Sequence, residues 1–146
     1  MGKRKTVVYF PGVWDLLHIG HVTILEKAKK LGDILIVGVP TDAVVFEDKE
    51  CLPIISCEHR VRMLRALKCV DDVAEYGSLE FITALVKFDA NILVVGETWG
   101  SDKRHTEATA YMEAKGGNVV QFGYTKGVSS TSIKEKIVAQ DWAKKS

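Results

Sequence analysis

Phe10-Pro11-Gly12-Val13-Trp14-Asp15-Leu16-Leu17-His18-Ile19-Gly20-His21 joins a β-branched apolar run to an amphipathic one. Residues 6–10 read as a strand, with Pro11-Gly12 as the break after it. Residues 21–31 read as a helix, because Ile24, Leu25, Ala28 and Leu31 share one face and Glu26, Lys27, Lys29 and Lys30 lie mostly on the other. Gly32 stands where a left-handed C-cap belongs. Residues 33–39 then supply Ile34-Leu35-Ile36-Val37, apolar on both faces, as in a parallel strand covered by helices. Strand, histidine-bearing loop, helix and second strand make one βαβ unit.

The same alternation runs on to the C-terminal region. Thr41 is placed to cap a short helix, residues 51–56 contain Pro53 and read as an extended loop, and a better helix covers residues 56–68. Further strands are predicted over 70–76, 91–95 and 118–122. Helices are predicted after Ser78 as a cap, over 106–115 up to Gly116-Gly117, and over 129–139. Strict alternation implies an α/β fold: a Rossmann-like open parallel five-stranded sheet with helices on both faces. No repeat, low-complexity tract or linker interrupts it. We expect a single domain over residues 1–146, with a core over 6–138 and a frayed tail over 139–146. In such a sheet, ligands sit beyond the C-terminal strand ends. Chemistry is therefore sought in residues 11–21, 40–49, 97–104 and 123–130.

Composition narrows the function classes. The 146 residues are 47% apolar, which suits a packed core and argues against disorder. Twenty Lys and Arg oppose nineteen Asp and Glu, so the net charge is +1. That balance speaks against a non-specific nucleic-acid binder, which needs a cationic surface to release counterions. Apolar runs fall far short of the ~20 residues of a membrane span, and no signal-peptide core follows Lys3-Arg4-Lys5. Cys51, Cys57 and Cys69 have no CxxC spacing and read as small buried side chains, not a metal site. A reduced, cytoplasmic protein without nucleic-acid or membrane partners is the expectation.

His18 and His21 are three residues apart and project from one face of a helical first turn. Gly20 lets a ligand approach the backbone. The helix start adds unpaired N–H groups and the positive end of the dipole, so the loop suits phosphate. A zinc pair or two surface histidines are the competing readings. Ser129, Ser130 and Thr131 open the last helix, where hydroxyls and free N–H groups bind phosphate oxygens; ordinary N-capping is their alternative.

His18-Ile19-Gly20-His21 resembles the HxGH signature of the nucleotidyltransferase superfamily, and Gly12-Val13-Trp14-Asp15-Leu16-Leu17 resembles a stretch of its small cytidylyltransferase-like branch. The likeness continues through residues 25–33, Glu58-His59-Arg60 and Val70-Asp71-Asp72-Val73 to Gly127-Val128-Ser129-Ser130-Thr131-Ser132-Ile133. Glycerol-3-phosphate cytidylyltransferase is the nearest in appearance, and heptose-1-phosphate adenylyltransferase is similar. The resemblance implies transfer of a nucleotidyl group from CTP to a small phosphorylated polyol or sugar, with release of pyrophosphate. The alternative is an ATP-dependent adenylyltransferase for heptose 1-phosphate or FMN. A non-catalytic nucleotide-binding module is the alternative of another class.

By resemblance, His18, His21 and Lys49 are catalytic, although Lys49 also reads as a solvated surface charge. Gly12, Val13, Gly20, Arg60, Gly96, Thr98, Ser129, Ser130 and Thr131 bind nucleotide or phosphate, with a helix-surface salt bridge as the competing reading of Arg60. Asp15, Trp99 and Lys126 are assigned to the acceptor. Orienting its loop is the other reading of Asp15, and walling in the nucleotide or covering the core are the other readings of Trp99. Trp14 is assigned to packing. Mg²⁺ is implied by the triphosphate, held by substrate oxygens and water with no protein metal site. A homodimer is implied as well. Thr98, Tyr124, Leu79 and Lys68 depart from the glycerol-3-phosphate pattern, which leaves Lys126 to replace missing positive charge.

Overall fold

The computed structural model describes residues 4–123 and 127–145. The elements follow in the order β1 (Val7–Pro11), α1 (Ile19–Lys29), β2 (Ile34–Pro40), α2 (Asp42–Lys49), α3 (Cys57–Arg65), β3 (Asp72–Tyr76), α4 (Ile82–Lys87), β4 (Ile92–Val95), α5 (Lys103–Ala114), β5 (Asn118–Gln121) and α6 (Ser130–Lys145). The five strands form one sheet in the order β3-β2-β1-β4-β5, and every pairing is parallel. The expected open α/β sheet is therefore present. Its strand order reverses between β1 and β4, which makes their C-terminal ends the switch point where a crevice opens.

The period-2 alternation of the strands divides the core into two clusters. Val8 and Phe10 of β1, Leu35, Val37 and Val39 of β2 and Val94 of β4 pack with Leu25 and Ala28 of α1 and Val61 and Leu64 of α3. Tyr9, Ile36, Leu93 and Val95 point the other way, onto Leu85 of α4 and Ala108 and Met112 of α5. Removing one large aliphatic side chain from water is worth roughly 1.5–3 kcal/mol. The alternation thus holds helices to both faces.

Several local expectations need correction. α1 begins at Ile19, two residues ahead of the predicted 21, because His18 caps it with its own ring. Gly32 is not a left-handed cap. The C-cap is Lys30 in ordinary right-handed geometry, and Gly32 is small for another reason: a Cβ there would lie 2.8 Å from the Thr6 carbonyl oxygen and from Val8. Ser78 does not cap α4. Glu80 takes that role by accepting from the Thr83 amide at 2.9 Å, while the Ser78 hydroxyl donates to Glu80. The tail predicted to fray after residue 139 is helical to Lys145, with Ile137, Val138 and Trp142 exposed. No helix among the described residues is long and apolar enough to cross a membrane.

Candidate active site

The loop between β1 and α1 is held in a conformation that its own side chains fix. Trp14 and Leu16 both adopt positive φ, 59° and 51°. Left-handed backbone in bulky residues costs about 1–3 kcal/mol each and persists only where packing compensates. Here Trp14 is buried edge-on to Phe10, with centroids 4.8 Å apart, and its Nε1 donates to the Gly38 carbonyl at 3.0 Å. Gly12 makes room for it: a Cβ there would stand 2.8 Å from the indole. Trp14 is thus packing, as its neighbours require.

Asp15 is 7% exposed and its carboxylate accepts from the amides of Ile54 at 2.8 Å, Ile55 at 2.9 Å and Leu16 at 3.1 Å. It fastens the loop after α2 to the loop after β1. Of its two predicted roles, orienting the loop is the one its hydrogen bonds carry out.

His18 and His21 stack face to face, 3.8 Å between centroids and 22° between planes. The Gly20 amide donates to His18 Nδ1 at 3.0 Å, and the His18 amide donates to His21 Nδ1 at 3.2 Å. A ring nitrogen that accepts a backbone N–H carries no proton of its own. Both neutral rings therefore bear hydrogen on Nε2. Burial lowers the pKa of His18. It also lowers that of His21 to about 4, assisted by neighbouring His18 and opposed by Asp15. Both rings stay neutral at pH 7, and neither Nε2 has a protein hydrogen-bond partner among the described residues. The helix start is capped reciprocally by imidazoles in place of the usual hydroxyl and carboxylate.

Across the crevice from α1 stands the start of α6. Ser129 and Ser132 bond reciprocally: the Ser132 amide donates to Ser129 Oγ at 2.9 Å and the Ser129 amide donates to Ser132 Oγ at 3.0 Å. Ser129 is thereby an N-cap, its alternative reading, and the first turn of α6 also lines the cavity. Ser130 Oγ donates to the Asp15 carbonyl at 2.7 Å, linking positions 115 apart in the chain. This bond places the Ser129–Thr131 turn beside the histidine loop.

These segments border a cavity of about 920 Å³, near the top of the usual ~300–1,000 Å³ range for small-molecule sites. Gly12, Val13, Asp15, His18, Gly20 and His21 line one part. Gly96, Thr98 and Trp99 enter from the end of β4, and Ser129, Ser130 and Thr131 from α6. Lys49, the last residue of α2, reaches the cavity with no ion-pair partner among the described residues. Lys126 and Tyr124 lie outside the described residues.

Arg60 is not among the lining residues, and this corrects its assignment to substrate phosphate. It is 1% exposed, and four of its N–H groups donate to protein acceptors. Nε donates to the Ile55 carbonyl at 2.9 Å and Nη1 to that of Val13 at 2.9 Å. Nη2 donates to the Pro40 carbonyl at 3.0 Å and to the Asp42 carboxylate at 2.7 Å. The salt bridge of the competing reading is present, to Asp42, but its guanidinium is buried and does not lie on the helix surface. Arg60 is a joint between loops.

Sequence reasoning missed Tyr76, Phe81, His105, Asp48 and Lys134, all of which line the cavity. The strand-end rule contained a signal for two of them: Asp48 falls within residues 40–49, and Tyr76 is the last residue of β3, whereas His105 stands in the first turn of α5. Among the described residues no group of three or more His, Cys, Asp or Glu side chains is placed to hold a metal. The cavity's carboxylates are engaged, Asp15 by amides and Asp48 by Arg104 at 3.0 Å. This donor set suits Mg²⁺ arriving on substrate phosphates and offers no protein cage.

Comparison with known proteins agrees with this fold. Residues 9–136 match the family described as cytidylyltransferase-like. The chain is 38% identical over 138 residues to the bifunctional protein HldE of Citrifermentans bemidjiense, covering 94% of this chain and 28% of that protein. It is 39% identical over 140 residues to the bifunctional protein HldE of Pseudomonas syringae pv. syringae, covering 94% and 29%. The chain thus spans less than a third of the length of these curated relatives. Among solved structures, a lipopolysaccharide core biosynthesis protein from Thermoplasma volcanium superposes with a TM-score of 0.70 at 26% identity, over 86% of this chain and 100% of that one. A pantoate-beta-alanine ligase from Francisella tularensis, at 16% identity and TM-score 0.58 over 92% of this chain and 69% of that one, shares the fold alone.

Proposed function

Since the chain belongs to the cytidylyltransferase-like family, we propose that it transfers an adenylyl group from ATP to a sugar 1-phosphate of the heptose type, releasing pyrophosphate. The observation that carries the transferase reading is the pair of neutral imidazoles whose Nδ1 atoms are engaged by backbone amides, beside a serine-rich helix start at the switch point of the sheet. The nucleotide and acceptor rest on the relatives. Repeated likeness to proteins named HldE, and to a lipopolysaccharide core biosynthesis protein, matches the heptose-1-phosphate adenylyltransferase alternative better than the CTP-dependent reaction ranked first from sequence. Mg²⁺ carried by the triphosphate, a cytoplasmic setting and a homodimer belong to the same proposal.

The chemistry asks little covalent work of the protein. An oxygen of the acceptor phosphate attacks the α-phosphorus in line, and the bond from that phosphorus to the oxygen bridging to the β-phosphate breaks. That oxygen leaves with the electron pair as part of pyrophosphate. The attacking phosphate needs no general base, so catalysis reduces to positioning and electrostatic stabilisation. In this reading, Nε2–H of His18 and His21 donates to phosphate oxygens as charge develops. The amides and hydroxyls of the Ser129–Thr131 turn hold the leaving pyrophosphate, and Lys49 neutralises the approaching acceptor phosphate. Bound Mg²⁺ supplies charge neutralisation along the triphosphate.

The test is pyrophosphate release with Mg²⁺, crossing ATP and CTP against heptose 1-phosphate, glycerol 3-phosphate and FMN. Release with ATP and the sugar 1-phosphate is expected. Release with CTP and glycerol 3-phosphate alone overturns the base and acceptor assignment, and FMN adenylylation redirects the acceptor. No release from any pair overturns the enzymatic reading.

A further inference from the structure

One wall of the cavity takes no part in the chemistry above. It belongs to the α4 and α5 face of the sheet, where Trp99 and Phe81 pack against the second core cluster, whereas the histidine loop packs on the α1 face. Trp99 and His105 stack with centroids 4.0 Å apart and planes 18° apart. Phe81 stands 5.1 Å from Trp99 and 6.0 Å from His105, and Tyr76 meets Phe81 edge-on at 6.2 Å. The stack is held from behind, since Trp99 Nε1 donates to Thr109 Oγ1 at 3.2 Å.

The polar part of this wall is equally constrained. The Gly100 amide donates to His105 Nδ1 at 3.2 Å, so the neutral ring carries its proton on Nε2, which has no protein hydrogen-bond partner among the described residues. Burial keeps the His105 pKa below its ordinary value, with Asp102 opposing. Arg104, one residue earlier, bonds Asp102 and Asp48, each at 3.0 Å. That bridge ties the first turn of α5 to the last turn of α2, which ends in Lys49, another residue of the cavity lining.

In-line displacement decides which substrate reaches this wall. The acceptor must approach the α-phosphorus from the side opposite the leaving pyrophosphate. With pyrophosphate assigned to the α6 turn, which Ser130 binds to the histidine loop, the acceptor is assigned to the rest of the lining, where Lys49, Trp99 and His105 border the same cavity and Trp99 belongs to the other core cluster. A cyclic sugar presents a flat C–H face to an aromatic ring and hydroxyls around its edge. A three-carbon polyol phosphate presents no such face. We propose that Trp99 and His105 form the platform for the acceptor's sugar ring, with His105 Nε2–H donating to one of its oxygens, so that His105 selects cyclic sugar phosphates over open-chain ones. This inference rests on the adenylyltransferase reading above.

The test is two-substrate kinetics on the whole protein with His105→Phe, which keeps a flat ring and removes the donor, and Trp99→Leu, which removes the platform. The expected result is a rise of about tenfold or more in KM for the sugar 1-phosphate in each variant, with KM for ATP within about twofold of wild type. Calorimetric titration of sugar 1-phosphate into protein loaded with α,β-methylene-ATP reads the same loss without turnover. Circular dichroism and an unchanged ATP KM separate this loss from misfolding. An unchanged acceptor KM in both variants, in an active enzyme, overturns the platform alone. A rise confined to the ATP KM also overturns it and assigns the wall to the base. A wild-type protein that releases no pyrophosphate with any pair overturns the underlying reading, and the platform with it.

Discussion

His18 does two jobs with two nitrogens. Its Nδ1 caps α1 by accepting from Gly20, and in the proposed reaction its Nε2 serves the phosphates. The two roles separate in one substitution. His18→Asn keeps a side-chain acceptor of the kind favoured at N-caps and removes the second nitrogen. Turnover should fall about 10²–10³-fold, the range for losing one preorganised donor to developing charge, with the urea midpoint nearly unchanged. Retained turnover in a folded variant would sink the mechanism. The HxGH spacing made this pair legible in the sequence. Its tautomers were not, because they depend on which amide each ring meets.

At the scale of elements, Arg60 shows what a linear reading leaves out. Its helix and its place in Glu58-His59-Arg60 are visible in sequence, but its partners are carbonyls of Val13, Pro40 and Ile55, and no local pattern marks a carbonyl as waiting for a donor. The guanidinium joins α3 to the ends of β1 and β2 and, through Asp42, to the start of α2. Arg60→Met should cost about 3 kcal/mol, since several buried acceptors lose their donor together. Arg60→Lys should recover little, because an ammonium lacks the fork. A chemical denaturation series checks both, and a Met variant of wild-type stability would remove the joint from the account. By contrast, the strands were legible as short apolar runs. α6 was cut short because its exposed second half carries no core-facing periodicity to extend the prediction.

The molecule as a whole carries its pH response in the same rings. His21 titrates at about 4 when folded, and His18 and His105 are shifted in the same direction by burial. The unfolded value is about 6.5, so between these values the unfolded chain binds more protons than the folded one. Stability is therefore complete above about pH 6.5 and declines as pH falls towards 4. The carboxylates whose pKa is lowered, such as Asp102 at about 2 beside Arg104, act only at more acid pH. Urea midpoints should be level from pH 8 to 7 and drop by pH 5, and His21→Asn should flatten that drop. A flat wild-type profile, or an equal drop in His21→Asn, would refute this origin.

The bond from Ser130 to the Asp15 carbonyl joins residues near opposite ends of the described chain. On the ribosome the histidine loop is made first, and the serines that border the same cavity follow only after all five strands have been translated. Domains generally fold as they are made. In the proposed function, the βαβ framework can thus form while the nascent molecule is still incompetent for triphosphate, since the α6 turn is yet to come. On that reading, chains interrupted before that helix would fold much of the sheet and yet sequester no nucleotide.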